Sequence, residues 1–211
     1  MKRIFQIILG VAIIGLVYVI YVQISTPLNF NKELATRKAA VIDRIKDIRT
    51  AQRAFKTKYQ HFTGTFDSLE NFILYDTLEM ERRLVDEDDS VGLARLKKSG
   101  RKNIEKFKIA VIDTIFSPKK LSVEDVKELR FIPGTNDKAQ FIMQAGYATA
   151  SNVVVPIVEC RAPYKMFLDT VAYRQEVINL IDEEENVYNR YPGVKFGSME
   201  AANNEAGNWE D

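Results

Sequence analysis

An almost unbroken apolar run near the N-terminus constrains this chain more than any other feature of its sequence. The run begins at Ile4 and ends at Ile24, carries no charge, and includes only Gln6 and Gln23 as strongly polar members. About 20 apolar residues in a helix span the roughly 30 Å hydrocarbon core of a bilayer, and a helix satisfies its own backbone hydrogen bonds in lipid. The sequence therefore predicts a transmembrane helix that contacts the lipid bilayer through this run.

The flanks of the run favour an uncleaved anchor with a cytoplasmic N-terminus. A cleaved signal peptide has a shorter apolar region, of about 7–15 residues, that ends in small residues, whereas this run ends in the sequence QISTP. Lys2 and Arg3 lie directly before the run, while the next charge is Lys32, and positive charges close to a span favour the cytoplasmic side. We expect residues 1–27 to form a single-pass anchor in the inner (cytoplasmic) membrane, with the bulk of the chain in the periplasm.

The rest of the chain has the size of one domain and almost no net charge. The whole sequence holds 30 Lys and Arg residues against 29 Asp and Glu residues. This balance argues against nucleic acid as a partner, because phosphate binding needs a basic surplus on the binding face. The single cysteine, Cys160, excludes an internal disulfide and follows the apolar sequence VVVPIVE, which predicts a buried side chain.

Residues 28–75 are predicted to form an amphipathic helix followed by a helix-turn-helix join. Pro27 predicts a break or kink at the membrane exit. Thr65 or Asp67 is placed to cap the second helix, whose apolar face includes Leu69, Phe72, Ile73 and Leu78. The first helix carries apolar residues at spacings of three, four and seven, namely Leu34, Val41, Ile42, Ile45, Ile48, Ala51, Phe55 and Tyr59.

Two interpretations of this apolar stripe remain open. The favoured one is core packing against a sheet. The alternative is a self-associating coiled coil, since Leu34, Val41, Ile48 and Phe55 repeat every seven residues. Lys38 and Gln52 occupy the alternate seam positions and weaken that alternative.

Residues 76–106 are predicted to be a charged helical or loop segment. Its first half is largely acidic and its second half largely basic, which is typical of a solvated surface, with docking on a partner or on anionic headgroups as the alternative. The acidic residues 86–89 lack the spacing of an EF-hand loop, so no calcium site is predicted there.

Residues 107–211 are predicted to form an antiparallel sheet, a C-terminal helix and a polar tail, in one domain with residues 28–75. Ser122 and Asp125 match a capping box, and Pro156 is expected at an edge or bulge. Short β-branched and aromatic segments separated by short turns favour antiparallel strands, which we expect at residues 107–116, 129–132, 139–145, 153–160 and 164–168. The predicted fold class is therefore α+β, with the long amphipathic helix packed on an antiparallel sheet.

The C-terminal region carries two acidic features. A helix is expected over residues 171–188, with Tyr173, Val177, Ile178 and Ile181 on one side. Acidic residues 182–185 near its end oppose the helix dipole, so either the helix stops early or a cation compensates. The tail is interpreted as polar, with Trp209 packed back on the domain, as disordered, or as a cation site formed by Asn203, Asn204, Glu205, Asn208, Glu210 and Asp211.

No residue pattern predicts a catalytic, cofactor-binding or metal site. The only histidine, His61, lies in a helix–turn junction with aromatic neighbours, which is typical of a surface or packing residue. Cys160 has no second histidine to activate it, and the sequence contains no G-x-S-x-G elbow, glycine-rich phosphate loop or His/Cys cluster. We therefore expect a protein that is not an enzyme.

The segment IRTAQRAFKTKYQHFTGTFDSLENF resembles type IV pilins and pseudopilins. The resemblance covers residues 1–75 and implies a long helix that ends near an aromatic residue, followed by a turn and a short helix. The chain departs from those families in its first residues, because Gly10 and Gly15 lie inside the apolar run and the first glutamate is Glu33. The ending YPGVKFGSMEAANNEAGNWED resembles an uncharacterised family of single-pass envelope proteins from Bacteroidota, which implies no activity.

Together these features predict a non-enzymatic, membrane-anchored structural or interaction component of a cell-envelope assembly. Its exported domain would bind another envelope protein or another copy of itself. The alternatives are a pseudopilin-like filament subunit of a secretion or pilus system, and an envelope hydrolase or small-ligand binder.

Overall fold

One helix runs from the N-terminus through the core of the protein. The structure is a computed structural model that describes residues 2–86, 88–135 and 139–210. Helix α1, Lys2–Tyr59, is 58 residues long and contains Pro27. The break predicted at Pro27 is therefore wrong. Proline removes the hydrogen bond to the carbonyl of Gln23, four residues earlier, but the turns on both sides keep their own bonds and the helix continues.

The remaining elements give an α+β fold with two antiparallel sheets. One sheet has two strands, in the order β1-β2, and the other has three, in the order β3-β4-β5. The elements are α2 Phe66–Tyr75, β1 Thr77–Arg83, α3 Ser90–Lys98, β2 Ile104–Ala110, α4 Val111–Ile115, α5 Val123–Glu128, β3 Ile142–Ala150, β4 Val153–Pro163, α6 Tyr164–Phe167, α7 Arg174–Asp182, a π-helical turn Glu183–Val187, and β5 Gly193–Gly197.

The apolar stripe of α1 forms the centre of the core. It packs against β5, α2 and α4, so core packing is the correct interpretation of the stripe within this chain. Tyr59, at the end of the stripe, remains 44% exposed. The stripe residues that are completely buried are Val41, Ile45, Ile48 and Ala51, and they share the core with Val194 and Phe196 of β5.

The first predicted strand, residues 107–116, is only partly correct. Strand β2 ends at Ala110, and helix α4 follows because Val111 and Phe116 turn into the core, where packing outweighs β-propensity. Its partner β1 falls in the segment predicted as helix and loop. The alternation of Leu78 and Met80 with charged residues was the strand signal there, and Leu78 lies in β1 rather than in α2.

The second sheet follows the predicted strands only in part. Strand β3, Ile142–Ala150, begins three residues later and ends five residues later than the predicted 139–145, and β5 was not among the predicted strands. Residues 164–168 form the helical turn α6, closed by the Leu168 amide donating to the Tyr164 carbonyl at 2.9 Å. Residues 129–132 contribute only the bridge between Phe131 and Gln140. Pro156 pairs with Tyr147 of β3, while β5 pairs with β4 only from Glu159 onward. The stretch of β4 that contains Pro156 therefore lies at an edge of the sheet, as expected for proline.

A buried amide fixes the join between α1 and α2. The Gln52 side chain has no exposed surface. Its Nε2 donates to the Thr63 carbonyl at 2.7 Å, and its Oε1 accepts from the Thr63 amide at 3.2 Å. Nε2 also lies 3.0 Å from the Met143 sulfur. Gln52 thus satisfies two backbone groups of the turn after α1, which explains a polar residue within the apolar stripe.

Replacing this amide tests its role in the fold. Gln52→Met keeps the volume but leaves the Thr63 amide and carbonyl buried without partners, so we expect the free energy of unfolding to fall by about 1–3 kcal/mol. Urea unfolding in detergent micelles, followed by circular dichroism, measures the change. Gln175→Met, on the exposed face of α7, is the matched control and should stay within about 0.5 kcal/mol of the native protein. Equal effects of the two substitutions would contradict this role for Gln52.

Candidate functional site

The N-terminal half of α1 lies outside the folded domain and exposes its apolar side chains. Its most apolar window has a mean hydropathy of 2.6, and none of that window is buried. Every large apolar residue from Ile4 to Ile24 is at least 39% exposed. Water-soluble monomers rarely expose a continuous apolar surface of this extent. This half of α1 is long and apolar enough to span a membrane.

The residues considered for catalysis lie in two different environments. His61 is exposed, its Nδ1 is 3.1 Å from the Tyr59 carbonyl, and its ring packs against Phe55 with centroids 5.5 Å apart. Cys160 has no exposed surface, and burial raises the pKa of its thiol. A surface or packing role for His61 and a buried Cys160 are both what the sequence predicted. Because His61 lies at the surface and Cys160 lies in the core, neither side chain can activate the other.

The acidic segments considered as cation sites serve other roles. Asp89 caps α3, its side chain accepting from the Gly92 amide at 2.9 Å. Glu87 and Asp211 lie outside the described residues. Helix α7 changes to a π-helical turn at Glu183. Within residues 2–86, 88–135 and 139–210, no group of three or more His, Cys, Asp or Glu side chains is placed to hold a metal ion.

The C-terminal tail is ordered against the polar face of α1. Glu205 is only 8% exposed, and its carboxylate accepts from Arg53 Nε at 3.1 Å and lies 3.3 Å from Lys56 Nζ. The Glu210 carboxylate lies 2.6 Å from Arg49 Nη1. Arg49, Arg53 and Lys56 are four and three residues apart, so they form one row on α1. This basic row is the sequence signal that could have predicted the docking of an acidic tail.

The C-terminal tail also contacts α1 through its tryptophan, and it bonds to strand β5. The Arg49 guanidinium lies 5.4 Å from the centroid of the Trp209 ring, a cation–π geometry. Asn208 bonds to one edge of the strand, accepting from the Lys195 amide at 3.1 Å and donating to the Gly193 carbonyl at 2.9 Å. Packing of Trp209 against the domain is confirmed. We call residues 203–210 the docked tail.

Strands β1 and β2 form a two-stranded arm with two distinct faces. One face carries the apolar pairs Leu78–Ile109 and Met80–Phe107, and the other carries Glu79 opposite Lys108 and Glu81 opposite Lys106. The Glu81 and Lys106 side chains are 2.9 Å apart. None of the described residues between 77 and 110 is fully buried. An isolated two-stranded ribbon is only marginally stable in water, so contact with a partner would stabilise this arm.

The arm begins at the end of α1 that lies farthest from the apolar half. Lys58 Nζ donates to the Thr77 carbonyl at 2.8 Å, and the same lysine pairs with Asp76. The Tyr59 hydroxyl also donates to Asp76, at 2.6 Å. These contacts fix the base of the arm to the last turn of α1, while the strands beyond it are exposed.

No protein-family model, curated protein or solved structure matches this chain. The resemblances to pilins and to envelope proteins therefore stay predictions.

Acidification is expected to release the docked tail. The amide of Gly207 and the guanidinium of Arg49 hold the pKa of Glu210 below its ordinary range. A depressed carboxylate pKa stabilises the docked state above the ordinary glutamate pKa, and this contribution is lost as the pH falls through the depressed value. Because Trp209 is the only tryptophan, its fluorescence reports the docking, and we expect its emission to shift to the red in acid.

Two variants separate this effect from general acid unfolding. Glu210→Gln has already lost the ionic contribution at neutral pH, so its emission should be red-shifted there and change less on acidification. Glu200→Gln, the same substitution at an exposed position nearby, should titrate like the native protein. Identical curves for all three proteins, with circular dichroism showing an intact fold, would refute the role of Glu210.

Proposed function

We propose that this protein is a non-enzymatic, membrane-anchored structural component of a cell-envelope assembly. The apolar half of α1 spans the inner membrane with its N-terminus in the cytoplasm, and the domain lies in the periplasm. The domain binds another protein and holds it at a fixed distance from the bilayer. The observation that carries the proposal is the continuity of α1, whose exposed apolar half passes without a break into the centre of the core.

The continuity of α1 supports a role in placement. A flexible linker would leave the position of the domain relative to its anchor undefined. Here Val41, Ile45 and Ile48 are completely buried on the same helix that continues into the apolar half. The arm lies near Tyr59, 35 positions beyond Ile24, which corresponds to about 50 Å along a helix. A partner bound by the arm would therefore be held far from the membrane surface.

A second copy of this chain is the partner that the charges of the arm favour. Glu79 and Glu81 form an acidic column on β1, and Lys106 and Lys108 form a basic column on β2. Each strand of this two-stranded sheet has one unpaired side. Copies anchored in one membrane share an orientation, so β2 of one copy can lie antiparallel to β1 of the next. The basic column then faces an acidic column, and such cross-strand charge pairs are favourable.

A pseudopilin-like filament subunit is the second candidate function. It is favoured by one observation, namely that α1 projects its apolar half beyond a domain in which its amphipathic half packs on an antiparallel sheet. Filament subunits of this class are shortened at the N-terminus before assembly. The state of the N-terminus therefore separates the two candidates.

The anchoring is tested on the full chain expressed in bacterial cells. We expect the protein in the membrane fraction, resistant to alkaline extraction, with an intact mass of 24.2 kDa. Protease added to spheroplasts should remove the domain but spare the anchor. A mature chain shortened inside its first residues but retained in the membrane would instead support the filament subunit. A soluble chain that lacks residues 1–27 would overturn both proposals.

Self-association through the arm is tested by exchanging its charges. The fourfold variant Glu79→Lys, Glu81→Lys, Lys106→Glu and Lys108→Glu keeps pairing within the arm and between its own copies. Between the variant and the native chain, however, like charges would face each other. With two affinity tags in detergent, we expect each protein to co-purify with itself and the two not to mix. Free mixing would exclude contact through these columns, and no self-association of either protein would exclude the second copy as partner.

A further inference from the structure

A short turn before α7 exposes the most accessible large apolar side chain among the described residues. Val171 is 90% exposed. The turn is nevertheless well defined, because the Asp169 carboxylate accepts from the Val171 amide at 2.9 Å and from the Ala172 amide at 2.8 Å. The Tyr173 amide donates to the Asp169 carbonyl at 3.1 Å. The structure therefore holds an apolar side chain outward on a fixed turn.

Contacts with α1 show which way this turn extends. Arg37 Nη1 donates to the Phe167 carbonyl at 2.6 Å, while the Phe30 ring packs on the Tyr173 ring with centroids 5.6 Å apart. Arg37 and Phe30 are seven residues apart, which is about 10 Å along a helix. From Phe167 to Tyr173 the chain therefore descends along α1 toward its apolar half.

The level of the turn coincides with the surface of a bilayer that α1 spans. Phe30 follows the last residue of the apolar run, Ile24, by six residues, or about 9 Å along the helix. The headgroup region extends roughly 5–8 Å beyond the hydrocarbon core on each side. Tyr173, which packs on Phe30, thus lies at the outer boundary of the headgroups, and Val171 is two residues away from it.

The charges around the turn are mixed and include exposed basic residues that an anionic lipid surface would attract. Lys165 and Arg174 are exposed and border the same cleft as Thr170 of the turn, and Lys32 is exposed on α1. The acidic residues Asp182 and Glu185 border that cleft too, while two other acidic residues have partners of their own. Asp169 accepts from the turn's own amides, which hold its pKa below the ordinary range, and Glu33 pairs with Arg37 at 2.8 Å. Lysine and arginine close to a membrane surface are attracted by anionic headgroups.

We propose that the turn of residues 169–173 brings Val171 into contact with the headgroup surface of the membrane that α1 spans. We call these residues the membrane-facing turn. The inference rests on the proposed anchoring by α1 and adds a second point of contact with the same bilayer. Two contacts on different elements fix the orientation of the domain, whereas a single helix leaves it free to tilt with its anchor.

The depth of single labels measures this contact in the full chain. Cys160 is buried and stays unlabelled, so Val171→Cys introduces one reactive thiol for a fluorophore. Tyr75→Cys is the matched control, since Tyr75 is 81% exposed and lies beside Asp76 at the far end of α1. Val17→Cys places the label in the apolar run. The proteins are reconstituted into vesicles of phosphatidylcholine and phosphatidylglycerol that contain a quencher-labelled lipid.

We expect the lipid quencher to act on labels at positions 171 and 17 and several-fold less on the label at position 75. Equal, weak quenching at positions 171 and 75 with strong quenching at position 17 would overturn the membrane-facing turn alone, because the anchor would still be inserted. Weak quenching at position 17 would overturn the proposed anchoring, and the membrane-facing turn with it. The same label at position 75 controls for the affinity of the fluorophore itself for lipid.

Discussion

The continuity of helix α1 is the constraint on which the rest of the structure depends. The same helix exposes its apolar side chains before Ile24 and buries an apolar stripe after Leu34. Pro27, between the two regions, costs one hydrogen bond and does not end the helix. Because β5, α2 and α4 all pack on this stripe, the positions of these elements are defined relative to the apolar half.

The parts of the fold that the sequence could predict are those that depend on neighbouring residues. The spacing from Val41 to Phe55 identified the buried face of α1, and Ser122 with Asp125 forms the expected capping box. Strand β1 was missed because its charged face resembles a solvated loop, although Leu78 and Met80 alternate there with charged residues. The basic row on α1 indicates that an acidic segment docks there, but its pairing with the tail depends on the tertiary fold, because Arg49 and Glu210 are 161 residues apart.

Opposite charges in this nearly neutral chain are arranged in separate rows. A basic row on α1 receives the carboxylates of the docked tail, and acidic and basic columns face each other within the arm. The tail pairs include a nearly buried carboxylate, Glu205, so salt screens them less than the arm pairs, whose side chains are largely exposed. The tail charges therefore contribute to the domain itself, while the arm charges lie at the surface.

The length of α1 gives the protein the mechanics of a lever. Its end at Tyr59 is about 50 Å from the apolar run, so a change of 10° in the inclination of a straight helix would move that end sideways by about 9 Å. Transmembrane helices change their inclination to match the thickness of the surrounding bilayer. If the apolar half spans a bilayer as proposed, the lateral position of the arm would follow the thickness of the lipid around that half, unless a further contact at the membrane surface resists the rotation.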